Sequence, residues 1–552
     1  MDDVAILIGG KAGDGITSAG AIVARLLSHL GYSVYAYVDY PSLIRGGHNF
    51  VIVRGSGDPV SPGTCGEHTD FLLALDQRSI GEHHHRLDAG SALIVNMDLV
   101  RSDGQGVPVR DILAAESAPP VMGNSAIIGG FAKAAGIGWE VVDAVFHAHL
   151  PHHADTNLLV ARRAYDLLST VRPIPRMSHP PRPLLTGNEA IGLGLLRGGM
   201  DAYVSYPMTP SSGILHFLAG ESERFGIRVV HPENEIAVIL MAQGFAAAGR
   251  RAAVGTSGGG FCLMTEGLSL AGMAEVPIVI VMSQRTGPST GLPTYGGQAD
   301  LRFVLHAGQG EFPRLVIAPG DADEAVLWSE RAMELAWRYQ VPAFVLSDKT
   351  LSEGTYSIGV PPEDPVPAEQ GPGWDGTGPY NRYTLTPDGI SPHVPAGTPG
   401  AIVKANSYAH DEAGITTEDP ALVVKMADKR EKKEQALAAG LERYPRVVTS
   451  GDPGAPTALL CWGSTAGVCS ETGRMLGLRV VRPVVLSPFP LSALKAALAG
   501  VTRVIAVEEN TTAQLAGLAG QNGIPVHDRV LRYDGRPFTP EYLAAKIREV
   551  LA

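Results

Sequence analysis

The sequence predicts an α/β protein built from three α/β units, and three observations carry that reading. Short apolar runs rich in Val, Ile and Leu alternate with helix-period segments along most of the chain. Glycine-rich turns follow several of these runs directly, as at residues 9–15, 256–260 and 463–467, where strand-to-helix turns of α/β folds lie. A dense proline stretch at residues 173–183 cannot continue a helix and reads as a linker. With 552 residues the chain is too long for one core and suits roughly three to four domains.

The first unit, residues 1–172, opens with the strand Val4-Ala-Ile-Leu-Ile8, a glycine loop and a helix over 16–30. Further strands are expected at 32–38, 50–54, 70–75 and 92–96, in a largely parallel sheet. The second unit, 184–351, reads as a helix at 187–197, a strand at 202–205, and a strand at 227–231. An amphipathic helix follows at 234–249, then a strand at 252–256, a helix at 261–274 and strands at 276–282, 315–318 and 342–347. Residues 352–454 are rich in Gly, Pro and Asp and read as connector and interface loops. They end in a helical pattern at 421–439, whose charge run 425–434 reads as a solvated face. The third unit, 455–552, has strands at 458–461, 478–481, 501–507 and 524–527.

Apolar residues make up 45% and charged residues 18%, the balance of a folded globular protein. A net charge of −12 argues against a nucleic-acid surface. The N-terminus is acidic where a signal peptide is basic, and no apolar run reaches the ~20 residues of a membrane span. A soluble, cytoplasmic protein with no membrane or nucleic-acid partner is expected. Cys65, Cys262, Cys461 and Cys469 are scattered, which argues against an iron–sulfur cluster held by this chain alone. The histidines at 83–85, 147, 149, 152 and 153 lack a Cys or acid that completes a metal set, so no metal ligand is assigned.

Four motifs then resemble one family. Gly187-Asn-Glu-Ala-Ile-Gly192, Tyr206-Pro-Met-Thr-Pro-Ser-Ser212, the run Thr256 to Glu266 and Gln284-Arg-Thr-Gly-Pro-Ser-Thr-Gly-Leu-Pro-Thr294 resemble α subunits of 2-oxoacid:ferredoxin oxidoreductases, particularly the 2-oxoglutarate type. Residues 9–15 with Ile44-Arg-Gly-Gly-His48 resemble that family's γ module, fused ahead of the α module. Residues 383–399, 410–412 and 418–420 resemble its connector. The resemblance implies a transketolase-like thiamine pyrimidine-binding domain at 184–351 and a transketolase C-terminal-like domain at 455–552. It implies oxidative decarboxylation of a 2-oxoacid with coenzyme A, using thiamine diphosphate, and electron delivery to ferredoxin. A β subunit, in an α2β2 assembly, would hold the diphosphate, the magnesium and a [4Fe-4S] cluster. A pyruvate or indolepyruvate oxidoreductase subunit is the related alternative, and a non-catalytic scaffolding subunit the alternative of another class.

The residues fit such roles, each against a plainer one. A partly buried carboxylate must share a proton with the thiamine aminopyrimidine. Glu235, at a helix start, matches the family glutamate; alternatively it is a first-turn acid favoured by the helix dipole. Glu233 is the nearest competitor. Arg285, after a buried strand, can clamp a substrate carboxylate bidentately, or it makes a structural ion pair. Thr209, between two prolines, and Thr256, at the next strand end, are substrate-binding candidates or turn and cap hydroxyls. For coenzyme A the resemblance points to Gly13, Asp14, Gly15 and Asn124, with Ser42, Arg45, Gly46 and Gly47 in a facing loop. The glycine loop can equally serve strand-to-helix packing. Gly258-Gly-Gly260 and Tyr295-Gly-Gly-Gln298 depart from the family pattern, which leaves the substrate tail open.

Overall fold

The computed structural model describes residues 3–41, 47–58, 62–150, 153–359 and 371–552. The chain divides into two compact units, one made of Met1–Thr186, Glu353–Val360 and Thr539–Tyr542, the other of Gly187–Ser352, Pro361–Phe538 and Leu543–Ala552. Both units are α/β, and the described residues form three sheets.

The first unit holds an eight-stranded sheet in the order Gln105–Val107, Ala92–Asn96, Phe71–Ala74, Val4–Lys11, His48–Ser56, Ser33–Asp39, Thr355–Ser357, Leu184–Thr186. It is mixed rather than largely parallel. The first four strands are parallel, but His48–Ser56 runs antiparallel to both neighbours. The connection from Asp39 to His48 is too short for a crossover helix, so the chain can only return antiparallel. Thr355–Ser357 adds a further antiparallel pair on either side. Ile6, Ile8, Val51, Phe71 and Leu73 of the sheet meet Val23, Leu27, Phe131, Val142 and Phe146 of the helices in one core.

The second unit contains two sheets. The larger runs Val485–Ser487, Leu315–Ile317, Pro342–Asp348, Ile278–Gln284, Ala252–Thr256, Ala202–Ser205, Arg228–Val230. Every pair is parallel except Val485–Ser487 with Leu315–Ile317. Its central strands are buried along their whole length, which is why they read as unbroken apolar runs. The parallel register brings the chain after Ser205, Thr256 and Gln284 to one edge of the sheet, where ligands of such folds bind. The smaller sheet runs Val447–Gly451, Arg479–Pro483, Thr457–Leu460, Arg503–Glu508, Asp528–Leu531. Val447–Gly451, outside the expected strand set, pairs antiparallel at its edge.

Three helices differ from expectation. Glu235–Ala247 is not amphipathic but apolar on all sides: Val238, Ile239 and Ala242 are buried while Ile236, Leu240 and Met241 are exposed. Gly258–Met273 begins at Gly258 rather than Phe261, so the glycine triplet is its first turn. Pro420–Gly440 carries the charge run, yet that face is not simply solvated. Lys429 and Lys433 are buried; Lys429 Nζ lies 2.6 and 2.7 Å from the two carboxylate oxygens of buried Glu275, and Lys433 bonds the same carboxylate. Among the described residues no helix is long and apolar enough to cross a membrane.

Candidate active site

Glu235 opens its helix, but the duty of capping falls on Asn234, whose side chain accepts the Ala237 N–H at 3.0 Å. Glu235 is therefore free of that role. The residue is 4% exposed, and Oε1 is buried with no hydrogen-bond donor among the described residues. An unsatisfied buried acceptor costs about 1–3 kcal/mol, and more when charged, so the fold retains it against its own stability. The surface competitor Glu233 is exposed.

Gly260 makes room for that carboxylate. A Cβ there would stand 2.5 Å from Glu235 Oε1 and 2.4 Å from Thr256 Oγ1, so any larger residue would displace one of them. Thr256 itself is fully buried, and its Oγ1 donates at 3.3 Å to the Ser257 carbonyl. Thr256 thus lies beside Glu235, under the first turn of Gly258–Met273.

Arg285 follows the last residue of the strand Ile278–Gln284. Its Nη1 donates to the Thr209 carbonyl at 2.8 Å, while Nε is buried without a partner among the described residues. Asn188 Nδ2 donates to the Pro210 carbonyl at 2.9 Å, so the Pro-Met-Thr-Pro turn is held from two sides. Burial lowers the Arg285 pKa, opposed by the charge of Asp300. Asp300 was not among the expected site residues. Burial pushes its carboxyl up to about 6 against the pull of Arg285, and the carboxylate lies over Gly258, where a Cβ would meet Oδ2 at 3.0 Å. One signal could have found it: it is the first charged residue after Arg285. The second unit therefore brings Thr209, Glu235, Thr256 and Arg285 to the C-terminal edge of one parallel sheet.

In the first unit, Gly13 and Gly15 have φ of 96° and 70°, left-handed conformations that favour glycine. Asp14 turns its carboxylate back onto the Lys11 N–H at 2.8 Å and closes the loop. Asn124 Nδ2 donates to the Asp14 carbonyl at 2.7 Å, and a Cβ on Gly15 would meet that nitrogen at 2.6 Å. The Gly47 carbonyl accepts the Ala12 N–H at 3.2 Å, so Gly47 belongs to the same loop cluster. Ser42, Arg45 and Gly46 lie outside the described residues. His48 and His83 share an Nε2–Nε2 hydrogen bond of 2.9 Å, with Glu82 close by. Burial lowers both imidazole pKa values, that of His83 to about 3.

The buried Glu235 carboxylate lies at the C-terminal edge of the sheet, where ligands of such α/β folds bind. The family model described as the thiamine diphosphate-binding domain of pyruvate flavodoxin/ferredoxin oxidoreductase matches residues 193–429, and the pyruvate ferredoxin/flavodoxin oxidoreductase model matches 5–167. The α subunit of a Sulfolobus 2-oxoacid:ferredoxin oxidoreductase is 31% identical over 99% of this chain and 96% of its own length. That of Sulfurisphaera tokodaii is likewise 31% identical, over 99% and 97%. The solved 2-oxoglutarate:ferredoxin oxidoreductase from Magnetococcus marinus, with 2-oxoglutarate, coenzyme A and succinyl-CoA bound, is 28% identical, covers 100% of both chains and superposes with a TM-score of 0.90. This chain belongs to the family of 2-oxoacid:ferredoxin oxidoreductase α subunits. The residues present fit thiamine diphosphate: Glu235 Oε1 lacks a donor, and Gly260 keeps the space beside it open.

Proposed function

We propose that this chain is the pyrimidine- and substrate-binding half of an enzyme that oxidatively decarboxylates 2-oxoglutarate with coenzyme A to an acyl-CoA and reduces ferredoxin. A β subunit, in an α2β2 assembly, completes it with the diphosphate and magnesium site and the [4Fe-4S] cluster. The observation that carries this reading is Glu235 Oε1, a buried carboxylate oxygen with no hydrogen-bond partner among the described residues.

Thiamine diphosphate, when bound, supplies a carbon nucleophile for the 2-oxo carbonyl and a sink for the electrons left as CO2 departs. Glu235 holds the aminopyrimidine and shares a proton with its ring nitrogen. Thr256 lines the same position beside the Glu235 carboxylate. Arg285, tied through Nη1 to the Thr209 carbonyl, turns its remaining guanidinium donors to the substrate carboxylate. Thr209 borders the same position. In the first unit, the loop of Gly13, Asp14, Gly15 and Gly47, backed by Asn124, binds coenzyme A, with Ser42, Arg45 and Gly46 assigned to it by the sequence alone.

Two further observations support this reading. The Magnetococcus marinus enzyme of matching fold was solved with 2-oxoglutarate, coenzyme A and succinyl-CoA. The helix that starts with Glu235 also exposes Ile236, Leu240 and Met241 at 47%, 40% and 44%, beside Leu263 at 48%. An apolar face of this kind next to the site suits a partner subunit. The test is copurification with the product of the neighbouring gene, then a panel of 2-oxoacids with coenzyme A and a low-potential acceptor. Fastest turnover of 2-oxoglutarate, dependent on coenzyme A and the second subunit, is expected. Preference for pyruvate, or turnover by this chain alone, would overturn the assignment.

A further inference from the structure

Between Arg285 and Asp300 the chain leaves the larger sheet, turns back and meets the residues that follow two strands of the smaller sheet, Thr457–Leu460 and Arg503–Glu508. Arg285 has Gln284 before it and Thr286 after it, and both are bonded to the returning segment. Gln284 Oε1 accepts the Asp300 N–H at 3.0 Å. The Thr286 N–H donates to the Tyr295 carbonyl at 3.2 Å, and its Oγ1 bonds the Gly296 carbonyl. Gly297 lies so close that a Cβ would meet the Thr286 backbone at 3.4 Å. Residues 295–300 therefore brace the backbone on both sides of Arg285.

One residue pins that segment. Gln298 is fully buried and makes four hydrogen bonds to the C-terminal part of the chain. Its N–H donates to the Glu509 carbonyl at 2.8 Å, and its Oε1 accepts the Glu509 N–H at 3.1 Å. Its Nε2 donates to the Trp462 carbonyl at 2.8 Å, and its carbonyl accepts Asn510 Nδ2 at 3.0 Å. The side chain needs one donor and one acceptor pointing in fixed directions, which an amide supplies and a carboxylate does not. The neighbouring contacts, Gly296 N–H to the Gly535 carbonyl at 3.2 Å and Gln514 Nε2 to the Ala299 carbonyl at 2.7 Å, extend the same seam.

We propose that Gln298 is a positioning residue for substrate binding. By bonding to Trp462 and Glu509 it holds the segment that flanks Arg285, and so makes the C-terminal part of the chain a determinant of affinity for the 2-oxoacid carboxylate. This rests on the reading of Arg285 as the carboxylate clamp. Losing the side-chain hydrogen bonds to Trp462, Glu509 and Asp348 in Gln298→Met, assayed in the complex with the β subunit, raises the 2-oxoacid KM by about tenfold. The kcat stays within about twofold, the mark of lost binding rather than lost chemistry. Gln298→Glu keeps the size and the acceptor but loses the donor; it shifts KM in the same direction and carries the test should Gln298→Met fold poorly. In an Arg285→Ala background the Gln298 substitutions have no further effect on KM, because the position they set is already vacant. Equal KM factors in both backgrounds, or a wild-type KM, would overturn the proposal. An unchanged KM in Arg285→Ala alone would instead overturn the reading of the clamp.

Discussion

Gly260→Ala perturbs the site at a modest cost to the fold. The added methyl group would stand 2.4 Å from Thr256 Oγ1 and 2.5 Å from Glu235 Oε1, so one of these buried groups must move. The backbone itself accepts alanine, since Gly260 lies within a helix. Alanine there gains about 0.5–1 kcal/mol of helix stability, against roughly 1–3 kcal/mol for overpacking. The net change in folding stability is thus about 0–2.5 kcal/mol of destabilisation. The loss of activity should be far larger. A misplaced proton-transfer group forfeits a factor of about 10²–10⁴ in rate, or roughly 3–5 kcal/mol of barrier. Gly259→Ala is the control, because its Cβ would meet only the Ser289 carbonyl, at 4.0 Å. Thermal melting and 2-oxoacid-dependent acceptor reduction are measured on both variants in the complex. Gly260→Ala should stay folded, with its melting temperature lowered by no more than about 10 °C, and turn over at least about a hundredfold more slowly, while Gly259→Ala keeps its activity. Near-wild-type turnover in Gly260→Ala would refute the placement of Glu235 in the chemistry.

Three further outcomes follow from the same structure. Arg285→Ala should lower kcat/KM by about 1.5–3 kcal/mol, the worth of hydrogen bonds to a charged group, with little change in yield or melting. Burial would raise the carboxyl of Glu275, but the ammoniums of Lys433 and Lys429 and the guanidinium of Arg382 outweigh it and hold that carboxyl well below its usual range. Glu275→Gln leaves both lysines buried without their counter-ion and should cost about 3–5 kcal/mol in denaturant unfolding. Burial, then the charge of Asp348, raises Glu509 from 4.5 to about 8. The folded state keeps a proton there that the unfolded chain has released, so this contribution is full below about pH 4.5 and is lost as pH rises through about 8. Glu509→Gln should therefore flatten the fall in melting temperature between pH 5 and 8; an unchanged slope would contradict the assignment.

What the sequence revealed was mostly local. The strand–turn–helix pattern around residues 227–249 located Glu235, because apolar periodicity and an Asn-Glu helix start are visible in a short window. The same window misjudged the helix as amphipathic, since its second apolar face stays exposed and looks no different from core in the sequence. The mixed sheet of the first unit turned on one connection, from Asp39 to His48, too short for a helix. The charge run at 425–434 read as solvated because the partner of Lys429 and Lys433, Glu275, lies more than 150 residues away in sequence. Gln298 was visible only as a departure from a motif. Its partners Trp462 and Glu509 are 164 and 211 residues distant, and no local pattern announces them. Asp300 had a local signal in the uncharged stretch before it, but its proximity to Gly258 is tertiary.

The central claim, that Glu235 exchanges a proton with the thiamine aminopyrimidine, is tested most directly in Glu235→Gln. The variant keeps the size and burial of the side chain and loses the exchangeable carboxylate. In the reconstituted complex with thiamine diphosphate, the rate of hydrogen–deuterium exchange at the thiazolium C2 position is followed by quench and NMR. A fall of at least about a hundredfold, with cofactor binding and assembly retained, is the predicted result. Exchange at the wild-type rate would contradict the account.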